Sequence, residues 1–391
     1  MKILISAYAC EPNTGSEHEI GWSWIKLHLR KRNKIYVITR KSNKKKIYKE
    51  LKKKKIKNVS FLFYDLPDLL LKILKFKKKK SYIYFFLWQV GIYFKFRNFI
   101  NSSKIDLIHH VTLGSIRIPS FLCFTNKKFI YGPLAGGEAV PKLLLQTFSF
   151  RSRLFEFLRK LSNTQIKYSF LINKCFFNSS KILLANKETY NLINNRFLKK
   201  SLIVPTLFNK KLFFKIKSTQ KRKIYYVGRL IDWKGIEIIK KIILNFERNN
   251  FKISFNIFGD GYLKNNLSRF ILTNKISNNV KIYGQIEQNN LLKKIRENDL
   301  LIFPTLRDSG GYVILEALNN NINVITTNAA GPLSIIKKNE IGLINIHNKT
   351  IEQISNLFTK KIINFYNKKR FYKVILNNFM SEDYKYSAIY E

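Results

Sequence analysis

Short apolar runs alternate along this chain with segments whose apolar residues recur every three or four positions. Lys2–Ala7, Lys34–Thr39 and residues 60–64 read as buried strands. Between them, a segment with Ile20, Trp24, Leu27 and His28 on one face and a Lys-rich segment at 42–57 read as helices. Residues 105–111, 129–131, 181–185 and 201–204 complete a first set of strands. The rhythm then restarts with Lys223–Val227, 252–258, 280–283, Leu300–Phe303 and 323–326, and a helix over 350–366. Such alternation predicts an α/β chain with parallel sheets covered by helices on both faces. The polar, strand-poor stretch 208–222 separates the sets and predicts a linker between a domain at 1–207 and one at 223–365. Residues 366–391 are expected to form a helical tail packing back on the N-terminal domain.

Two stretches break the rhythm. Over 66–100, a basic run from Lys75 to Lys80 abuts Tyr82, Tyr84, Phe85, Phe86 and Trp88. Residues 143–178 read as helical and mix Phe148, Phe150, Phe155 and Phe157 with Arg151, Arg153 and Arg159. Cations beside aromatic-rich helices have the composition of an interfacial membrane helix. The plain alternative is a core helix flanked by solvated lysines.

Composition sharpens this picture. The 391 residues allow two or three domains, and 72 Lys and Arg against 24 Asp and Glu give a net charge of +48. That balance favours polyanions: nucleic acid, anionic lipid or a phosphorylated substrate. The joint richness in Lys, Asn, Ile, Phe and Tyr is what an AT-rich genome encodes, so part of the excess is drift. Cys10, Cys123 and Cys175 are odd in number and scattered, with no metal spacing, and the expected setting is the reducing cytoplasm. The apolar start is too short for a signal peptide, and no run reaches the roughly 18 residues needed to span a bilayer.

The candidate chemistry sits where strands end. Nearly every strand of the second set runs into a glycine or small-residue loop, and open parallel sheets bind ligands at their carboxyl ends. The richest such loop reads Pro304-Thr-Leu-Arg-Asp-Ser-Gly-Gly-Tyr-Val-Ile-Leu-Glu-Ala317. Asp308 and Glu316 are eight positions apart, a little over two helical turns. Gly310 and Gly311 let the backbone approach a ligand and open a helix whose N-terminus suits a phosphate. The plain alternative is a strand-loop-helix turn capped by Asp308 or Ser309. Arg229 and Lys234, close to these glycines, would neutralise a diphosphate.

Gly228-Arg229-Leu230 with Lys234-Gly235, then Phe258-Gly259-Asp260-Gly261, then Pro304, Asp308, Gly310-Gly311 and Leu315-Glu316-Ala317 occur in an order and spacing that resemble family 4 retaining glycosyltransferases, the glycosyl transferases group 1. The resemblance covers most of the second half; the first half is similar more loosely, through the Gly15 loop and the histidine ending the 105–111 strand. It implies the GT-B fold, two Rossmann-like doubly wound parallel-sheet domains facing a cleft. It also implies roles. Glu316 would hold the ribose of a nucleoside diphosphate sugar, and Asp308, where the family usually has Glu, would contact sugar hydroxyls. Arg229, Lys234 and the Gly310 and Gly311 amides would hold the diphosphate, with Gly15, Gly259, Ser309, Tyr312 and Val313 completing the donor site. His109 or His110 would sit near the transferred sugar; neighbours on a strand face opposite ways, so only one can point into the cleft. Gly136, Gly137 and Glu138, in a loop of one bacterial subset, would lie on the acceptor side. Pro205-Thr206-Leu207-Phe208 departs from the family's usual Pro-Asn-Gly, and Asn319 to Asn323 from its small-residue turn.

The chemistry implied is transfer of a sugar, with retention, to a cell-envelope saccharide or lipid-linked acceptor. Cations and a helix N-terminus would balance the departing diphosphate without a metal, and no Asp-x-Asp motif is evident. No cofactor is expected beyond the nucleotide sugar as co-substrate. The aromatic-basic stretches suggest peripheral docking on the cytoplasmic face of an anionic membrane. Two rival readings compete with this one. A nucleic-acid-binding protein would have no use for the glycine loops, so nucleic acid is not an expected partner. An inactive subunit of the same fold should have lost Glu316, Arg229 or Lys234.

Overall fold

The computed structural model describes residues 1–73, 82–204, 206, 223–286, 290–291, 294–295, 299–320, 322–336, 342–368, 386 and 389–390. The predicted linker at 208–222, the run Lys75 to Lys80 and most of 366–391 lie outside these residues.

Among the described residues two sheets form, and every named strand pair in them is parallel. The first holds β1 (Lys2–Ala7), β2 (Lys34–Thr39), β3 (Val59–Phe63), β4 (Leu107–Thr112), β5 (Lys128–Leu134), β6 (Lys181–Leu184) and β7 (Ser201–Ile203) in the order β3-β2-β1-β4-β5-β6-β7. The second holds β8 (Lys223–Val227), β9 (Ser254–Phe258), β10 (Val280–Gly284), β11 (Leu300–Phe303), β12 (Asn323–Thr327) and β13 (Leu343–Ile344) in the order β10-β9-β8-β11-β12-β13. In each, strand order reverses beside the first strand, between β1 and β4 and between β8 and β11. Loops on either side of that reversal diverge and leave a crevice at the carboxyl ends.

Two compact units carry these sheets. One comprises Met1–Gly137, Leu161–Phe208 and Glu382–Glu391; the other comprises Glu138–Lys160 and Asn209–Ser381. Residues 138–160, read with the N-terminal half in the sequence, thus cluster with the second sheet. In the first unit, the helix Tyr82–Ser102 buries Tyr84, Phe85, Trp88 and Ile92 in the core, beside Leu4, Ile108 and Tyr131. The aromatic half of the 66–100 stretch is therefore largely core, although Tyr82, Ile83 and Phe94 stay exposed. In the second unit, Ile236–Arg248 packs an unbroken apolar face, including Ile239, Ile242, Ile243 and Phe246, and its neighbour Ile351–Lys368 buries Ile354, Phe358 and Ile362.

Where elements differ from expectation, local chemistry explains it. β5 runs on through Gly132-Pro133 to Leu134, although proline offers no donor to the ladder. The predicted helical stretch 143–178 is three helices, Lys142–Leu145, Phe150–Gln165 and Phe170–Asn178; the last is entered through Ser169, a residue that favours caps. β13 has two residues, too few to show a period. The cysteines are not all scattered: the buried Cys123 and Cys175 thiols lie 3.2 Å apart. No helix of the described residues is long and apolar enough to cross a membrane.

Candidate donor and histidine sites

β11 delivers the chain to the loop that opens the helix Tyr312–Asn319. Asp308 folds back onto this loop. Its Oδ1 accepts hydrogen bonds from the Gly310 amide at 2.9 Å and the Gly311 amide at 2.6 Å. Its Oδ2 pairs with the Lys234 ammonium. Burial alone would raise the Asp308 carboxyl's pKa; the Lys234 charge and the two amides outweigh it and hold it below the ordinary carboxylate value. The amides expected on a diphosphate are thus filled by the carboxylate expected on a sugar. A side chain one methylene shorter than glutamate stays within reach of its own loop, as an N-capping aspartate does.

Lys234 ends a short 3-10 turn, Asp232–Lys234, and its ammonium lies 5.0 Å from the centre of the Phe303 ring. Gly235 follows at φ 79°, where an added Cβ would collide with the Pro304 carbonyl, so the Lys234 turn and the β11 exit touch through backbone. Gly259, at φ 142°, likewise has no room for a Cβ beside the Gly228 carbonyl. Arg229 is exposed, its guanidinium 5.9 Å from the Trp233 ring. Glu316 is half-buried and lines a small cavity with Val227 at the carboxyl end of β8, Leu301, Val313 and Ala317. Ser309, Tyr312 and Val313 are half-buried on the same loop and first helical turn. Lys234, Asp308, Gly310 and Gly311 are therefore in mutual contact, with Glu316 on the helix they open.

Sequence reasoning missed the layer behind this turn. Trp233 is stacked on Phe155 at 6.0 Å and lies under the Arg307 guanidinium at 4.6 Å. Arg307 pairs with Glu156 at 2.9 Å, and Asp232 accepts from the Ser149 amide and hydroxyl at 3.3 and 3.2 Å. The helix Phe150–Gln165 thus grips the Lys234 turn from residues more than 70 positions away. Its lone acidic residue, Glu156, was the available signal.

In the first unit, Gly15 sits at φ 75° at the start of the helix Ser16–Arg30, with open space where a Cβ would stand. His109 and His110 are both fully buried. Burial, then the neighbouring His28, lowers the pKa of His109 well below the ordinary value, so the ring is neutral at pH 7. Its Nε2 meets the Gly132 carbonyl at 2.8 Å and its Nδ1 the Tyr390 hydroxyl at 2.8 Å. A carbonyl only accepts, so Nε2 carries the proton and Tyr390 donates to Nδ1. The Tyr390 oxygen then accepts from His28 Nε2 at 2.9 Å. Burial pushes His28 down to about 3 and His110 to about 4. His110 Nε2 donates to the Leu113 carbonyl at 3.2 Å. Both rings lie inside the unit, and both nitrogens of His109 are engaged.

The Gly136–Glu138 loop is also spent on internal bonds. The Gly136 carbonyl accepts from Arg117 at 2.5 Å and the Gly137 amide donates to Thr189 at 3.1 Å. In the second unit the buried Glu138 carboxylate pairs with Arg159 at 3.0 Å.

Comparison with known proteins bears on the geometry. Residues 208–373 match the family described as Glycosyl transferases group 1. Among curated proteins, Protein CapJ of Staphylococcus aureus is 25% identical over 250 residues, 57% of this chain and 60% of CapJ. The chain thus spans about three fifths of that relative's length. Among solved structures, the apo lipopolysaccharide outer core galactosyltransferase WaaB superposes with a TM-score of 0.59 at 13% identity, over 100% of this chain and 99% of WaaB. Anabaena HepE, solved with UDP and glucose, superposes at 0.58 and 14% identity, over 100% and 96%. The match to the glycosyl transferases group 1 is confined to residues 208–373, and the two parallel-sheet units have the GT-B fold.

Proposed function

We propose that this protein transfers a glycosyl group, with retention, from a nucleoside diphosphate sugar to a cell-envelope saccharide or lipid-linked acceptor. The observation that carries the reading is the Lys234–Asp308 pair set on the Gly310 and Gly311 amides, at the mouth of the helix bearing Glu316. The family match and the UDP and glucose held by HepE support it.

In the proposed reaction the bond between the anomeric carbon and the diphosphate oxygen breaks. A bond forms from that carbon to an acceptor hydroxyl oxygen on the same face. The hydroxyl proton passes to a departing phosphate oxygen. Until that proton arrives, the departing diphosphate carries one more negative charge to be stabilised. Lys234, Arg229 and the N-terminus of Tyr312–Asn319 offer fixed positive charge and N–H donors for it, which needs no metal. Glu316 holds the ribose hydroxyls. Asp308 holds Lys234 until the donor arrives, then turns to the sugar. The first unit holds a cavity at the carboxyl end of β3, lined by Phe63, Tyr64, Asp65, Asp68 and Lys95, whose aromatic faces and charged groups suit a saccharide acceptor.

A screen of nucleoside diphosphate sugars by thermal stabilisation identifies the donor, since a ligand of the folded state raises its stability by mass action. With that donor, Glu316→Ala and Lys234→Ala should each lower kcat/KM more than about 100-fold, or about 2.7 kcal/mol of transition-state stabilisation. Far-UV circular dichroism should stay that of the parent. Full transfer by either variant refutes the site, and EDTA-sensitive transfer refutes metal independence.

A further inference from the structure

The helix Phe150–Gln165 is built inside out. Its polar residues Ser152, Glu156, Arg159 and Asn163 recur at four, three and four positions and face inward. Ser152 meets the Tyr262 hydroxyl at 3.0 Å, Glu156 meets Arg307, Arg159 meets Glu138, and Asn163 meets the Gly136 carbonyl at 3.3 Å. On the opposite side Phe150, Leu154, Phe157, Leu158 and Leu161 recur at helical spacing and are 74, 47, 62, 52 and 48% exposed. A contiguous apolar stripe left in water marks an interaction surface.

Charge selects the partner. Arg151 borders the stripe on one side; Arg153 and Lys160 border it on the other, all three exposed. The helix's one acid, Glu156, is turned inward, so the outer face carries cations and no anion. Pairing this face with a second copy would set arginine against arginine, whereas acyl chains accept the stripe and anionic headgroups its flanks.

We propose that the outer face of Phe150–Gln165 docks this protein on an anionic lipid bilayer. The same helix and Ser149 just before it hold the Asp232–Lys234 turn: Ser149 bonds Asp232, Phe155 stacks on Trp233, and Glu156 holds the Arg307 that lies over Trp233. A docked bilayer then lies about one helix diameter, ~10 Å, from that turn. This last step rests on the donor-site reading above, and it brings the lipid-linked class of acceptor within reach; the docking itself does not rest on it.

The test is flotation of the full chain with phosphatidylcholine vesicles, with and without phosphatidylglycerol. Alongside run the double variants Arg151→Glu/Arg153→Glu and Phe157→Ser/Leu158→Ser, each checked for an unchanged melting temperature. The parent should float only with the anionic vesicles. The charge variant should lose at least tenfold in partitioning at low salt, at roughly 1 kcal/mol per basic residue near the surface. The serine variant should lose the fraction that resists 0.5 M salt. A parent that stays in the soluble fraction overturns the proposal, as does flotation unchanged in both variants. So does a dimer of the parent, in analytical ultracentrifugation, that the serine variant dissolves. Transfer to a soluble acceptor should survive in both variants, so failed docking and a failed donor site give separate results.

Discussion

Asp308 offers the sharpest quantitative test, because one carboxylate makes three contacts that substitutions can separate. Asp308→Asn keeps an oxygen for the Gly310 and Gly311 amides and removes the charge opposite Lys234. Asp308→Ala removes both. The Lys234 and Asp308 side chains are 12% and 13% exposed, so their pair sits between the surface and fully buried limits. Breaking a buried pair costs about 3–5 kcal/mol; with this residual exposure about 2 kcal/mol is expected for Asp308→Asn. Losing the bonds to the Gly310 and Gly311 amides adds about 1 kcal/mol in Asp308→Ala. At roughly 2–4 °C per kcal/mol for a unit of this size, the melting temperature should fall by about 4–8 °C and about 6–12 °C. The decisive measurement adds the stabilising nucleoside diphosphate. A diphosphate restores a partner to the stranded Lys234, so it should raise the melting temperature of Asp308→Asn more than that of the parent. Parent-like stability in both variants, or a smaller ligand shift in Asp308→Asn, refutes the reasoning. The parent's carboxylate contribution is present above the unfolded value near pH 3.9 and is lost as pH falls through the lower folded value, so measurements at pH 7 carry it whole.

Two other regions give independent tests. Tyr390→Phe strips partners from both His109 Nδ1 and His28 Nε2 and should lower the stability of the first unit by about 2 kcal/mol in urea denaturation; a change under about 0.5 kcal/mol would count against the hydrogen-bond chain. The lowered values of His28, His109 and His110 mean that the unfolded chain takes up protons first, from about pH 6.5 downward. Their contribution is whole above pH 6.5 and shrinks as pH falls toward 4, by up to about 4 kcal/mol per unit for three groups; a urea midpoint that stays flat between pH 7 and pH 5 would disprove it. Gly259→Ala drives a methyl group into the Gly228 carbonyl and should cost about 3 kcal/mol together with the ligand-induced thermal shift. Parent-like melting would show that the close approach is not maintained.

The sheets were legible because buried parallel strands are short, apolar and ended by small residues. Lys2–Ala7, Lys34–Thr39, Lys223–Val227 and Leu300–Phe303 have the predicted bounds. The donor loop was legible as a motif, yet its internal bonding was not. Which partner Asp308 takes depends on a reach of one methylene, and periodicity carries no such information. The helix Phe150–Gln165 shows another limit. Its pattern is amphipathic whichever face turns inward, and only Arg307, Glu138 and Tyr262 decide that the polar face is buried. Tyr390 meets a histidine 281 positions away through a single hydroxyl, with no local trace in either segment.

The glycines carry a consequence for how the sequence came to be. Across the 391 residues there are only 16, about 4%, against an average near 7%. Glycine codons are GC-rich, so drift toward AT removes them wherever the structure tolerates a replacement. At thirteen of the fifteen glycines other than Gly310, a methyl group would come within 3.0 Å of another atom. The exceptions, Gly15 and Gly284, hold positive φ angles. In a chain this poor in glycine, most of those that remain stand where an added methyl group would meet another atom. At Gly15 nothing would be struck, and the space that an alanine could fill stands open.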